Sequence, residues 1–155
     1  QIQDVPDPES PGPKEVLVRL RAASLNFRDS LVLEGKYNPK FPLPLVPCSD
    51  GAGEVVAIGN EVTEFKLGDR VLLTFAPNWI AKEATHSELR TTIGGPLPGT
   101  LREFAIVPET GLVPIPSHLS FEEASTLPCA ALTAWSAFFE FSQILPGDTI
   151  VVQGT

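Results

Sequence analysis

Apolar and polar residues alternate near the start of the chain. Val16, Val18 and Leu20 fall at alternate positions, and Arg19 and Arg21 occupy the opposite face. A period of two with one apolar face predicts a half-buried β-strand. Further strands or extended segments are predicted at residues 51–59, 67–73 (after an initial turn), 101–107, 112–116 and 149–153. The glycines that begin the segment 51–59 predict the close approach of another backbone or of a ligand.

A short helix is predicted directly after the first strand. Asn26 stands at the N-cap position before residues 27–34, and Asp29 falls in the first turn, where an acidic side chain is favourable. Gly35 is suited to end the helix, because glycine readily adopts the left-handed backbone found at helix C-termini.

Two more helices are predicted later in the chain. Ser120 and Glu123 have the spacing of a reciprocal capping box. Pro128 separates that helix from another at about residues 129–142, because proline is accepted only in a first helical turn. Short strands, then helices, then one β-branched strand predict a mainly β lobe with short helices, similar to a small barrel. The first strand of an α/β domain follows it.

The charged residues are unevenly distributed. Eleven Lys and Arg against nineteen Asp and Glu give a net charge of −8, which argues against a nucleic-acid partner. All the basic residues lie at or before Arg102. Backbone N–H groups, or residues outside this chain, would therefore have to hold any phosphate that binds near residues 103–155.

The cysteine content and the hydropathy pattern limit the cellular setting. Cys48 and Cys129 are too few for a disulfide scaffold or a four-cysteine zinc site, which indicates a reduced, cytoplasmic protein. No apolar run approaches the roughly 18 residues of a membrane span. The first residues lack the basic and apolar segments of a secretory signal. We therefore expect no membrane partner.

Six segments of the chain carry a family resemblance when they are taken together and in order. They are residues 26–29 (Asn-Phe-Arg-Asp), 35–37 (Gly-Lys-Tyr), 50–55 (Asp-Gly-Ala-Gly-Glu-Val), 68–71 (Gly-Asp-Arg-Val), 127–135 (Leu-Pro-Cys-Ala-Ala-Leu-Thr-Ala-Trp) and 146–149 (Pro-Gly-Asp-Thr). With them the chain resembles the medium-chain dehydrogenase/reductase superfamily, in its zinc-free, quinone-oxidoreductase-like branch.

The resemblance implies a division of the chain. Residues 1–125 would form a GroES-like β-barrel catalytic lobe, residues 126–147 a linking helix, and residues 148–155 the first strand of a Rossmann domain whose remainder is absent. Gly154 and Thr155 would open the glycine-rich turn over the pyrophosphate of NADP or NAD. NADPH is the commoner cofactor in this branch, and a homodimer is the expected assembly.

The resemblance also implies where a catalytic zinc ion would lie in zinc-dependent members. Those ligand positions hold Asn26, Ser49 and Cys129 here, and only Cys129 is an ordinary zinc ligand. Asp50 is a possible second ligand, but its family counterpart is an acid outside the first ligand sphere. We therefore expect no zinc and no metal ligands, and Cys129 is interpreted as a small buried apolar residue at a helix start.

Tyr37 and Asn26 are the candidate catalytic residues. The resemblance places the Tyr37 hydroxyl near the nicotinamide, where a donor would polarise the acceptor oxygen; alternatively, Tyr37 is a loop aromatic that packs its ring. Asn26 either caps its helix, or contacts the substrate oxygen or the nicotinamide ribose, or does both. Thr133 either bonds back to its own helical turn or lines the nicotinamide side of the cleft.

Three other side chains have weaker assignments. Arg28 and Asp29 could be a solvated pair on the helix surface, with Asp29 structural rather than catalytic. Phe75, together with Trp79, is a candidate for lining a substrate pocket.

The leading hypothesis is a zinc-independent oxidoreductase that transfers a hydride from a nicotinamide cofactor to a quinone, an enone or a related carbonyl compound. One alternative is a zinc-dependent alcohol dehydrogenase with atypical ligands. Another is a non-catalytic GroES-like module that binds a partner.

Overall fold

The computed structural model describes residues 2–81, 83–142 and 144–153. One antiparallel sheet of five strands dominates the fold. Its strands are β1 (Glu15–Ser24), β2 (Asp50–Ile58), β3 (Arg70–Leu73), β4 (Phe104–Pro108) and β5 (Leu112–Pro114). Their order across the sheet is β4-β1-β2-β3-β5. The predicted mainly β lobe with short helices is thereby confirmed.

The helical elements are short. They are α1 (Phe27–Leu33), α2 (Phe121–Ser125) and α3 (Leu132–Trp135), with π-helical turns at Leu127–Ala131 and Ser136–Glu140 and 3₁₀ turns at Glu88–Arg90 and Glu109–Gly111. At α2 the predicted capping box is present: Ser120 Oγ accepts from the N–H of Glu123, and the Glu123 carboxylate accepts from the N–H of Ser120. Among the described residues, no helix combines the length and apolarity that crossing a bilayer requires.

The larger hydrophobic core lies on one face of the sheet. Val16 and Val18 of β1 are both fully buried, as the alternating pattern predicts. The buried members of this core are Val16, Val18, Val55, Val71, Leu73, Ile93, Ala105, Val107 and Leu112. Every strand contributes to it, so burial of this face stabilises the whole sheet.

A smaller core lies on the other face, under α2. Leu72 points away from the neighbouring Val71 and Leu73 and packs with Ala52, Ile115 and Ala124. Leu127, the first residue of the π-helical turn, packs against this smaller core. The packing therefore brings the turn Leu127–Ala131 onto the sheet beside the start of β2.

Gly53 confirms the predicted close approach of backbones in β2. A Cβ atom at this position would lie 2.3 Å from the carbonyl oxygen of Arg19 in β1. At Gly51 a Cβ atom would lie 2.7 Å from the Thr100 side chain. Both contacts are too short for a side chain, so glycine permits the pairing of β1 with β2 at Gly53 and the approach of Thr100 at Gly51.

Two predicted elements differ from the structure. The third helix begins at Leu127 instead of residue 129 and includes Pro128 within its first turn, which is of the π type. The predicted strand at residues 149–153 is not formed, and its residues are exposed. A strand exists through its ladder of hydrogen bonds, and no described strand lies beside this segment.

Candidate functional site

Asp50 is the centre of the candidate site. It is the first residue of β2, and its side chain is fully buried. Its Oδ1 accepts from the backbone N–H of Cys129 (2.6 Å), and its Oδ2 accepts from Asn26 Nδ2 (2.9 Å) and from the N–H of Ala130 (3.3 Å). This one carboxylate therefore joins the start of α1, the start of β2 and the π-helical turn.

The hydrogen bond to Asp50 orients the Asn26 amide. A carboxylate can only accept, so the amide nitrogen must face it, and the amide oxygen points elsewhere. The backbone N–H of Asn26 donates to Asp29 Oδ2 at 2.8 Å, which completes the predicted helix start. The second N–H of the Asn26 amide remains for a ligand, while the helix N-cap position holds the residue in place.

The surroundings of Asp50 act on its charge in opposite directions. Burial raises the pKa of the Asp50 carboxyl above its ordinary value, because the charged form loses its hydration. The three N–H donors oppose this effect by stabilising the carboxylate, and the nearby Asp29 carboxylate reinforces it. A buried acid with this many N–H partners serves best as a structural anchor.

Both cysteines lie close to this carboxylate. Cys48 is buried and has a positive φ of 71°, a backbone region that L-residues seldom adopt. Burial first, and then the Asp29 and Asp50 carboxylates, raise the pKa of Cys48 to about 11. Burial and Asp50 also raise the pKa of the Cys129 thiol, although the Ser49 hydroxyl and Arg28 act in the opposite direction. Neither thiol is a prepared nucleophile at neutral pH.

The donors at the position of the catalytic zinc do not fit a zinc ion. Catalytic zinc takes three protein ligands, supplied by thiolate, imidazole or carboxylate. Here Asn26 offers an amide, Ser49 a hydroxyl and Cys129 a thiol, and only the thiol is an ordinary zinc ligand. The Asp50 carboxylate is already occupied by N–H groups. Within the described ranges, no group of three or more His, Cys, Asp or Glu side chains is placed to hold a metal.

Tyr37 lies apart from this network, in an aromatic cluster. Its ring centroid is 6.1 Å from that of Phe41, and the Arg28 guanidinium lies 4.9 Å above the Tyr37 ring. The backbone N–H of Tyr37 donates to Leu31 in α1. The side chain is 49% exposed. The contacts of Tyr37 are thus with α1 and the aromatic cluster, and the catalytic role of Tyr37 and Asn26 stays a prediction.

The idea of Arg28 and Asp29 as a solvated surface pair is wrong. Asp29 is only 4% exposed and accepts the Asn26 N–H. Arg28 donates instead to the carbonyl oxygens of the loop at residues 93–95 and lies against two aromatic rings. The two side chains point in different directions, because Asp29 caps the start of its own helix whereas Arg28 reaches a loop that lies 65–67 residues further along the chain.

Thr133 lies in α3, next to the network around Asp50. Its hydroxyl donates to the carbonyl oxygen of Cys129 at 2.6 Å, which is the predicted bond back to its own turn. The residue is exposed, so its hydroxyl oxygen can also accept a hydrogen bond from a ligand. A role at the nicotinamide stays a prediction. Gly154 and Thr155, the predicted pyrophosphate turn, lie outside the described residues.

Sequence reasoning missed two features of this region. The first is Asp50 as the anchor of Asn26, since no local pattern shows that residues 26, 50 and 129 meet. The second is Arg28, which holds Phe75 and Tyr37 against one guanidinium. Phe75 therefore lies in the same aromatic cluster as Tyr37, around Arg28. The buried Ser49 Oγ and Asp29 Oδ1 make no hydrogen bond within the described part of the chain.

The sequence of most of the lobe matches a known family. The profile of the alcohol dehydrogenase GroES-like domain matches residues 12–117. The chain belongs to this family, and its resemblance to the medium-chain dehydrogenase/reductase superfamily is confirmed.

Similar proteins include oxidoreductases of two kinds. A zinc-type alcohol dehydrogenase-like protein of Schizosaccharomyces pombe is 42% identical over 96% of this chain and 43% of its own length. A quinone oxidoreductase of Pseudomonas aeruginosa is 38% identical over 93% of this chain and 38% of its own length. The crystal structure of an NAD-dependent alcohol dehydrogenase has 40% identity and a TM-score of 0.80 over 94% of this chain and 44% of that one. The chain thus spans less than half the length of these proteins.

Proposed function

We propose that the whole protein is a zinc-independent oxidoreductase, which transfers a hydride from NADPH or NADH to a quinone, an enone or a related carbonyl compound. The observation that carries the proposal is the engagement of Asp50 by Asn26 and by the N–H groups of Cys129 and Ala130. Amide and backbone groups thereby occupy the region where zinc-dependent members need three ligands. The similarity to a quinone oxidoreductase supports the same choice.

A bound nicotinamide supplies the hydride, and this chain would contribute polar groups beside it. The free N–H of the Asn26 amide can donate to an acceptor oxygen, or the amide oxygen can accept from a ribose hydroxyl. The Tyr37 hydroxyl can donate to the oxygen on which negative charge develops. The Thr133 hydroxyl oxygen can accept a hydrogen bond from the cofactor. All three roles require positioning, and Asp50 supplies it for Asn26.

The test uses the purified whole protein with NADPH or NADH and two acceptors, 1,4-benzoquinone and methyl vinyl ketone. Oxidation of the cofactor is followed by the loss of its absorbance, and the metal content of the same sample is measured. We expect acceptor-dependent oxidation that survives dialysis against a chelator. Stoichiometric zinc together with loss of activity on chelation would instead establish the zinc-dependent alternative. Oxidation of neither cofactor with any acceptor would reject the reductase.

A further inference from the structure

The side chain of Arg28 connects its own helix α1 with the loop at residues 93–95 and with the rings of Tyr37 and Phe75. Its guanidinium carbon lies 4.9 Å above the ring of Tyr37 and 5.2 Å above the ring of Phe75. Its terminal nitrogens donate to the carbonyl oxygens of Ile93 (3.4 Å), Gly94 (3.3 Å) and Gly95 (2.9 Å). The side chain belongs to α1, two residues after Asn26, so it joins this helix to the loop and to both rings.

The loop held by Arg28 is itself closely packed. Gly94 and Gly95 both have positive φ angles, of 73° and 134°. A Cβ atom at Gly94 would meet the backbone of Cys48 at 2.7 Å, and one at Gly95 would meet the ring of Phe41 at 2.3 Å. The carbonyl groups that receive Arg28 are therefore fixed by their own surroundings, and they fix the guanidinium in turn.

Tyr37 depends on this arrangement for its orientation. The ring contacts Phe41 and Arg28, and the side chain is about half exposed. The Tyr37 hydroxyl forms no hydrogen bond with the described part of the chain. The ring is held by its neighbours, and its polar end is left for solvent or a ligand.

We infer that Arg28 is a positioning residue, which holds the Tyr37 phenol in the orientation from which its hydroxyl donates to the acceptor oxygen. The inference rests on the proposed function. A planar guanidinium can lie against aromatic rings and direct N–H groups at a carbonyl cluster in its own plane. Lysine keeps the charge but lacks this planar fork, so the Arg28→Lys variant would retain the charge and only part of the geometry.

The experiment is a double-mutant cycle in the whole protein with methyl vinyl ketone as the acceptor. Arg28→Met and Tyr37→Phe are made singly and together, and kcat and the cofactor KM are measured for each. We expect Arg28→Met to lower kcat by about ten- to a hundredfold, since small misplacements of a catalytic group are costly. In the Tyr37→Phe background the same change should alter kcat by no more than about twofold, because no hydroxyl is then left for Arg28 to position. Twofold is about the margin within which such a cycle resolves coupling. The cofactor KM should stay unchanged.

Two further variants make the result specific. Arg28→Lys should recover part of the lost kcat, and it replaces Arg28→Met in the cycle if the methionine variant does not fold. Arg19→Met is the matched control, because it removes another arginine that lies over an aromatic ring, Phe104 at 5.2 Å. We expect this control to leave kcat unchanged, since the pair lies on β1 and β4.

The outcomes separate this inference from the proposed function. If the wild-type protein reduces enones and the losses caused by Arg28→Met and Tyr37→Phe simply multiply, Arg28 does not act through Tyr37 and the inference is wrong. An equal loss of kcat in Arg19→Met would also overturn it. A wild-type protein that reduces no acceptor would overturn the proposed function itself, and the role of Arg28 with it.

Discussion

The side-chain amide of Asn26 donates to the buried carboxylate of Asp50 over 2.9 Å. Asn26 caps the helix α1, and Asp50 begins the strand β2, so this bond ties two elements together at the candidate site. The same carboxylate receives the N–H groups of Cys129 and Ala130. One buried acid thus anchors the Asn26 amide and two backbone N–H groups.

Asp50→Asn should destabilise the protein. The Asp50 carboxylate accepts hydrogen bonds from three N–H groups. The nitrogen of the new amide cannot accept, so at least one of these N–H groups loses its acceptor. A buried hydrogen bond to a charged group contributes about 1.5–3 kcal/mol, so we expect a loss of roughly that size in the free energy of unfolding in urea. Glu54→Gln, in the partly exposed pair with Arg21, is the control and should change it by less than about 0.5 kcal/mol. Equal stability of the two variants would contradict the anchoring role.

Cys48 and Cys129 should react slowly with thiol reagents in the native protein at about pH 8, a little below the ordinary thiol pKa. Burial raises the pKa of Cys48 to about 11 and raises that of Cys129, so the reactive thiolate is scarce in both. Labelling by iodoacetamide, located by peptide mass spectrometry, should become rapid only in denaturant. Rapid labelling of Cys48 in the native protein would contradict its burial beside the two carboxylates.

The raised pKa of Cys48 also sets the sign of a pH effect on stability. The folded state retains the thiol proton to about pH 11, whereas an ordinary thiol loses it near 9.0. The contribution of the Cys48 thiol to the free energy of unfolding is therefore complete below the ordinary thiol pKa. It is lost as the pH rises through the pKa of Cys48 in the folded state. We expect the difference in unfolding free energy between wild type and Cys48→Ala to shrink between pH 9.0 and about 11. A difference that grows over this window would contradict the shift.

Gly53→Ala should weaken the pairing of β1 with β2. The added Cβ atom would lie 2.3 Å from the carbonyl oxygen of Arg19, so one of the two strands must move. Overpacking of this kind typically costs about 1–3 kcal/mol, which thermal unfolding would detect as a lower Tm. Gly12→Ala is a suitable comparison, because its close contact is the movable carboxylate of Glu15. Similar Tm values for the two variants would show that the strands yield easily.

Tyr37→Phe should lower kcat for an enone in the whole protein and leave the cofactor affinity unchanged. The ring and its contacts with Phe41 and Arg28 remain, so the fold survives. Loss of a hydrogen-bond donor to a developing oxyanion typically costs about 10²–10³ in kcat, or roughly 3–4 kcal/mol. The effect should be smaller for a quinone, which accepts hydride with less polarisation. Unchanged turnover of every accepted enone would reduce Tyr37 to a packing residue.

Asn26→Ala should lower both stability and turnover. The substitution removes the amide that donates to Asp50, and it leaves a buried carboxylate with one partner fewer. The expected destabilisation is about 1–3 kcal/mol, measured by urea unfolding, and kcat should fall because a polar group of the cleft is lost. Asn26→Asp places two carboxylates together and should destabilise more. A fall in stability with undiminished kcat would confine Asn26 to its structural role.

Local patterns predicted most of the elements. The alternation at residues 16–21 predicted β1, the Asn26 cap predicted α1, and the Ser120 and Glu123 pair predicted the start of α2. Each of these signals depends on residues within one turn or one strand, so the sequence holds it completely. The segment 149–153 has the composition of a strand, but strand formation needs a partner that local sequence does not supply.

The sequence by itself determined the strand and helix patterns, the motif order of the superfamily and the presence of Asn and Ser at positions 26 and 49, where the resemblance implies zinc ligands. Only the tertiary structure decided which groups meet. Asp50 and Cys129 are 79 residues apart in the chain and are joined by a 2.6 Å hydrogen bond, and Arg28 reaches a loop at residues 93–95. Contacts of this kind follow from the packing of two sheet faces and their connecting loops, whose geometry depends on the whole lobe rather than on local residue preferences.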